Sequence, residues 1–159
     1  MASGDDRAAT PDGLNGAGLR IGVVSARWNT AIVDRLADGV RRGLEALGVT
    51  EIVEATVPGS FEVPFGALAM AESGQVDAVI CLGVVIRGET THYELVSEGA
   101  AEGIQQVQLA TAVPVAFGLL TVENEEQALA RSEGAGGHNV GEEAALVAVE
   151  MARLKERFA

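Results

Sequence analysis

The run Gly83-Val84-Val85-Ile86-Arg87-Gly88-Glu89-Thr90-Thr91-His92-Tyr93-Glu94 concentrates groups that can do chemistry. It reads as the end of a buried strand, a tight glycine-containing turn and the start of a helix. A helix start presents unpaired backbone N–H groups and partial positive charge, which suits an anion. Glu89 and Thr90 lie in the turn, where backbone N–H groups and a hydroxyl can cradle a phosphate. His92, one of 2 histidines, follows in the first helical turn as a candidate acid/base group. Taken alone, it reads equally well as a capping or packing side chain.

Other segments offer complementary groups. Trp28, the sole tryptophan, follows an apolar strand, where its flat face can stack on a planar heterocycle or simply close the core. Asn29-Thr30 reads as an N-cap pair. Pro58-Gly59-Ser60-Phe61-Glu62 brings a kink, exposed backbone and a carboxylate. These can hold a polyhydroxylated ligand, or form a Ser-capped helix start with Glu favoured by the dipole. Arg131 ends a short helix as a dipole complement, and becomes a phosphate anchor if folding or assembly brings it near Thr90. His138, in a glycine-rich loop, reads as a solvated loop residue. Cys81, the only cysteine, sits in an apolar run and reads as a packed, inert thiol. Two histidines without a close Cys or carboxylate at ligand spacing do not make a metal site. Of the 11 basic residues only Lys155 is a lysine, which disfavours an enzyme Schiff base.

Alternating strands and helices must position these groups. Strands are expected over 19–25, 51–57, 77–86 and 113–122. Helices are expected over 30–48, from the turn Pro58–Pro64 to about Ser73, and over 90–110, 123–131 and 142–158. The segment 77–86 is apolar throughout, as suits a central strand. The last helix is expected to bury Ala144, Val147, Met151, Leu154 and Phe158. Gly99, Ala100, Ala101 and Gly103 suit close helix packing around an oligomer axis. Strict alternation implies an α/β fold with right-handed crossovers, a three-layer α/β/α sandwich on a four-stranded parallel sheet. In such sheets ligands gather outside the strand carboxyl ends, where most of these residues fall. Residues 1–13 read as a flexible N-terminal arm and 14–159 as a single domain.

Composition bounds the partners. At 159 residues the chain suits one domain with a sizeable core. A net charge of −12 argues against nucleic acid or an anionic membrane. No secretory segment and no apolar span of about 20 residues is present, pointing to the cytoplasm.

Several blocks together resemble the lumazine synthase family of riboflavin biosynthesis. They are Trp28-Asn29, Pro58–Pro64, Gly83–Tyr93, Pro114–Thr121 and Glu125–Arg131, in that order, and the resemblance runs from about residue 14 to the C-terminus. It implies a flavodoxin-like fold and a transferase without a cofactor. The implied reaction condenses 5-amino-6-(D-ribitylamino)uracil with 3,4-dihydroxy-2-butanone 4-phosphate to 6,7-dimethyl-8-ribityllumazine, releasing phosphate. The amine comes from the substrate, which fits a lysine-poor chain. By this resemblance Trp28 stacks on the pyrimidine, and Phe117 approaches it from a neighbouring subunit. Asn29 belongs to the same pyrimidine and ribityl region. Ser60, Phe61 and Glu62 hold the ribityl chain, and Val84, Val85 and Ile86 line the uracil edge. Glu89 and Thr90 seat the phosphate with Arg131 of the adjacent subunit, and His92 is the acid/base group. The resemblance also implies homopentamers, sometimes built into icosahedral shells. Val140 departs from the family, which often has lysine there, so phosphate binding is expected to lean on Arg131 and the helix start. That departure motivates one alternative, a paralogue that binds flavin or lumazine without making it; a shell protein is another.

Overall fold

A computed structural model of the chain describes residues 10–159. Of the expected arm, residues 1–9 lie outside the described residues, and 10–13 are exposed. The elements run β1 (Arg20–Ala26), α1 (Thr30–Ala46), β2 (Glu51–Val57), a 3-10 turn (Ser60–Glu62), α2 (Val63–Glu72), β3 (Ala78–Ile86), α3 (His92–Thr111), β4 (Val115–Val122), α4 (Glu125–Ala130) and α5 (Val140–Arg157). The four strands are all parallel in the order β2-β1-β3-β4. β3 is interior, and all but its last residue, Ile86, is buried, as its unbroken apolar run requires.

Alternate strand residues feed two cores. Ile21, Val23, Ile80, Leu82 and Val84 pack with α1 and α5. Val24, Val79, Cys81, Val115 and Leu119 pack with α2 and α3. Cys81 is fully buried, which pushes its thiol up to about 12 and keeps it protonated and inert. Hence the sheet is covered on both faces, and its strand ends form one rim.

One expectation about a helix face needs correction. α5 buries Val140, Gly141, Ala144, Ala145, Ala148, Val149 and Ala152. Of the expected seam only Ala144 is buried; Val147, Met151, Leu154 and Phe158 are exposed. The cause is the close approach of α1. A Cβ on Gly43 would lie 2.8 Å from that of Ala145, and one on Gly141 would lie 2.1 Å from the Leu36 carbonyl oxygen. Only small side chains fit between helices that near. On α3, Gly99 lies against Phe61 and Gly103 against Pro64 of the same chain.

Boundaries follow local chemistry. β4 begins at Val115, two residues later than expected, because Pro114 has no N–H; its carbonyl instead accepts from Val79 N–H at 2.8 Å. α5 begins at Val140 because Asn139 caps it, its Oδ1 accepting from Glu142 N–H at 3.1 Å.

Candidate active site

The chain leaves β1 and turns to the β2 side, then crosses β1 to reach β3. The strand order therefore reverses between β1 and β3, and a crevice opens at their carboxyl ends. There lies a half-open cavity of about 540 Å³, lined by Trp28, Asn29, Ser60, Phe61, Glu62, Val84, Val85, Ile86, His92, Leu95 and Val96. Its size suits a small organic ligand.

Trp28 is 65% exposed, so it does not close the core; it stands as a free wall of the cavity. Behind its ring lies Gly59, where an added Cβ would fall 2.5 Å from Trp28 Cε3. Asn29 occupies the N-cap position of α1 in the left-handed region, with φ 63°, and makes no side-chain cap bond. Its Nδ2 instead donates to the Val84 carbonyl at 3.3 Å, joining the end of β1 to β3. The N-cap reading of Asn29 is thus corrected in its chemistry though not in its place.

The 3-10 turn supplies three neighbours. Ser60 is 7% exposed, and its Oγ has no hydrogen-bond partner among the described residues. It fits because β3 carries Gly83, where a Cβ would lie 2.5 Å from that hydroxyl. A buried hydroxyl left unpaired at a cavity wall is costly unless a ligand or water completes it. Phe61 is 61% exposed. The Glu62 Oε2 accepts from Gly59 N–H at 3.1 Å, which fixes the carboxylate at the rim.

On the opposite side, α3 begins at His92, whose backbone N–H donates to Thr90 Oγ1 at 3.3 Å. His92 lines the cavity, and the exposed turn with Glu89 and Thr90 leads into it. Leu95 and Val96 were not singled out from sequence. They stand three and four residues beyond His92, and that helical spacing is the signal that would have found them.

Not every expected site residue meets here. Phe117 lies on the edge strand β4, and Arg131 caps α4, its Nη1 donating to the Gln127 carbonyl at 2.9 Å. Neither lines the cavity, nor do Glu89 and Thr90, which precede His92 in an exposed turn. Within one chain Arg131 thus acts as the dipole complement. His138 is not the solvated loop residue expected. Its side chain is mostly covered, because the loop folds back and sets Nε2 3.1 Å from Glu143 Oε1 on α5. Val140 is 3% exposed and belongs to the core between the sheet and α5. No metal-binding group of His, Cys, Asp or Glu occurs among the described residues, and none of the helices searched there could cross a membrane.

A doubly covered parallel sheet with a cavity at its order reversal defines a flavodoxin-like α/β protein. The chain belongs to the 6,7-dimethyl-8-ribityllumazine synthase family, whose pattern matches residues 18–156. It is similar to the 6,7-dimethyl-8-ribityllumazine synthase of Kineococcus radiotolerans, 50% identical over 138 residues, covering 86% of this chain and 85% of the relative. That of Paraburkholderia phymatum is 49% identical, with 89% and 80% covered. That of Paraburkholderia phytofirmans is 50% identical, with 89% and 82% covered.

Proposed function

We propose that this chain condenses 5-amino-6-(D-ribitylamino)uracil with 3,4-dihydroxy-2-butanone 4-phosphate, yielding 6,7-dimethyl-8-ribityllumazine and phosphate. The observation that carries the proposal is the convergence of Trp28, Ser60, Phe61, Glu62, Val84, Val85, Ile86 and His92 on one cavity. An exposed indole offers a stacking face for the pyrimidine. Backbone groups of Val84–Ile86 read the uracil edge, and the unpaired Ser60 hydroxyl and the Glu62 carboxylate face the ribityl hydroxyls. His92 stands at the other end, next to the turn that seats the phosphate.

The chemistry asks little of the protein beyond placement. The substrate amine attacks the ketone and an imine forms with loss of water. Phosphate then leaves, and ring closure expels a second water. Holding both reactants in register supplies most of the acceleration. Proton transfer by His92 adds a factor on the order of 10²–10⁴.

Phosphate binding needs a cation that one chain does not bring to the cavity. We assign that role to Arg131 of a second copy, with Phe117 of the same copy facing the pyrimidine. The exposed apolar side chains Phe65, Leu95, Leu109, Met151 and Phe158 support packing of copies against one another. A homopentamer, alone or within an icosahedral shell, is the assembly proposed. Binding is tested through Trp28, the only fluorophore of its kind in the chain. Titration with ribitylaminouracil quenches its emission if the ring stacks; unchanged emission at saturating turnover contradicts this placement.

A further inference from the structure

The turn that leads to His92 is held from outside the cavity. Gly88, Glu89, Thr90 and Thr91 are all exposed, and a Cβ added to Gly88 would meet nothing within 4 Å. Arg87, immediately after β3, supplies the restraint. Its backbone N–H donates to the Val122 carbonyl at 2.8 Å. Its Nη1 donates to Glu94 Oε1 in the first turn of α3. Its Nε lies 2.8 Å from Glu123 Oε2, just beyond β4. The guanidinium also covers the Tyr93 ring, 4.2 Å from the centroid. One side chain therefore ties the ends of β3 and β4 to the start of α3. A planar fork reaches two carboxylates while stacking on a ring, which a lysine ammonium cannot do.

The same contacts have an electrostatic side. Hydrogen bonding from Arg87 holds the Glu94 carboxyl below the usual carboxylate range, which favours its ionised form. Glu94 and Glu123 thus place two negative charges beside a turn proposed to receive phosphate, in a chain of net charge −12. Arg87 is the cation that offsets them. Its Nη1, its Nε and its face are engaged by Glu94, Glu123 and Tyr93.

We propose that Arg87 is a positioning residue for the phosphate-bearing substrate: it fixes the 88–91 turn and the first turn of α3, and shields the bound phosphate from Glu94 and Glu123. The inference rests on the lumazine-forming reading of the cavity.

The test is steady-state kinetics on the assembled protein, varying each substrate in turn, with thermal melting alongside. Arg87→Met is expected to raise the KM for butanone phosphate on the order of tenfold, the effect of adding net negative charge beside an anion. The KM for ribitylaminouracil changes less than about twofold, within the scatter of remote surface changes. Added salt narrows the defect. Removing the exposed charge in the double variant Arg87→Met/Glu94→Gln recovers part of the lost affinity, which a purely mechanical tie would not. Arg87→Lys, which keeps the charge and loses the fork, gives a smaller rise with the same selectivity; it carries the test where the Met variant fails to fold. An unchanged phosphate-substrate KM overturns the inference, as does a parallel rise in both KM values or a double variant no better than the single. A wild-type protein that makes no lumazine overturns the reading of the site instead, and this inference with it.

Discussion

Replacing Gly59 by alanine isolates the contribution of the Trp28 wall. Gly59 has φ −136° and ψ 179°, an extended conformation open to any residue. The new methyl therefore costs no backbone strain and acts only through what it touches. It would lie 2.5 Å from Trp28 Cε3, 2.7 Å from Cζ3 and 3.2 Å from Glu62 Oε2. Carbon atoms settle at about 3.5–4.0 Å, so the indole must retreat by about 1 Å. Because Trp28 is 65% exposed, it can yield without disrupting the core. Stability should change by less than about 1 kcal/mol. Ligand binding should suffer far more. Stacking of a base on an aromatic ring contributes about 1–3 kcal/mol, and its loss corresponds to roughly 5- to 150-fold in affinity. The assay is the KM for ribitylaminouracil, with a melting curve as control. Trp28→Ala should produce a defect of similar size, and Gly59→Ala should add little to it, since both remove the same contact. An unchanged KM in Gly59→Ala would refute the reasoning, as would full additivity with Trp28→Ala.

Further outcomes follow from other residues. His92→Ala should lower kcat by about 10²–10⁴-fold at most and leave measurable turnover, since placement remains; complete loss of activity in a folded variant contradicts this. Arg131→Ala should mainly raise the KM for butanone phosphate, and a wild-type rate at low concentrations of that substrate sinks its assignment. Asn139 is 2% exposed, donates to the carbonyls of Arg35 and Glu133, and caps α5. Asn139→Ala should cost about 2–4 kcal/mol in denaturant titration, from the lost cap and the two lost hydrogen bonds to the Arg35 and Glu133 carbonyls. Partial burial would by itself raise the Asp77 carboxyl, but bonds from the Arg20 side chain and backbone N–H outweigh it and hold it below the usual range. A depressed folded-state pKa stabilises above the unfolded value and loses that effect as pH falls through the folded one. The difference in Tm between wild type and Asp77→Asn should therefore be steady above about pH 5 and shrink below about pH 4; equal differences at pH 3 and pH 7 contradict the pairing.

The order of strands and helices was readable because apolar runs, turn residues and caps agree with one another. Glu51–Val57 is placed residue for residue, and β3 shows the continuous burial its composition demands. The face of α5 was not readable. Hydrophobic periodicity points large side chains inward, whereas the approach of Gly43 on α1 to Ala145, and of Gly141 to the Leu36 carbonyl, leaves room only for small side chains where the two helices meet. That closeness depends on two helices far apart in sequence. The site divides in the same way. Residues at the ends of β1 and β3 and in the 3-10 turn share a cavity because parallel strands bring those ends together. Phe117 and Arg131 depend on β4 and α4, which lead away from it. His138 was misjudged because glycine-rich composition suggests solvent exposure, while its backbone N–H bonds Glu133 and its ring reaches Glu143.

The central claim is that this cavity joins two substrates rather than merely holding a flavin-like ring. It is tested most directly by mixing the purified protein with ribitylaminouracil and butanone phosphate, and following lumazine fluorescence and released phosphate together. The account predicts the two products in equal amounts, at a rate well above the uncatalysed reaction and lost when the phosphate substrate is omitted. A rate equal to the uncatalysed background, with tight riboflavin binding, would contradict it.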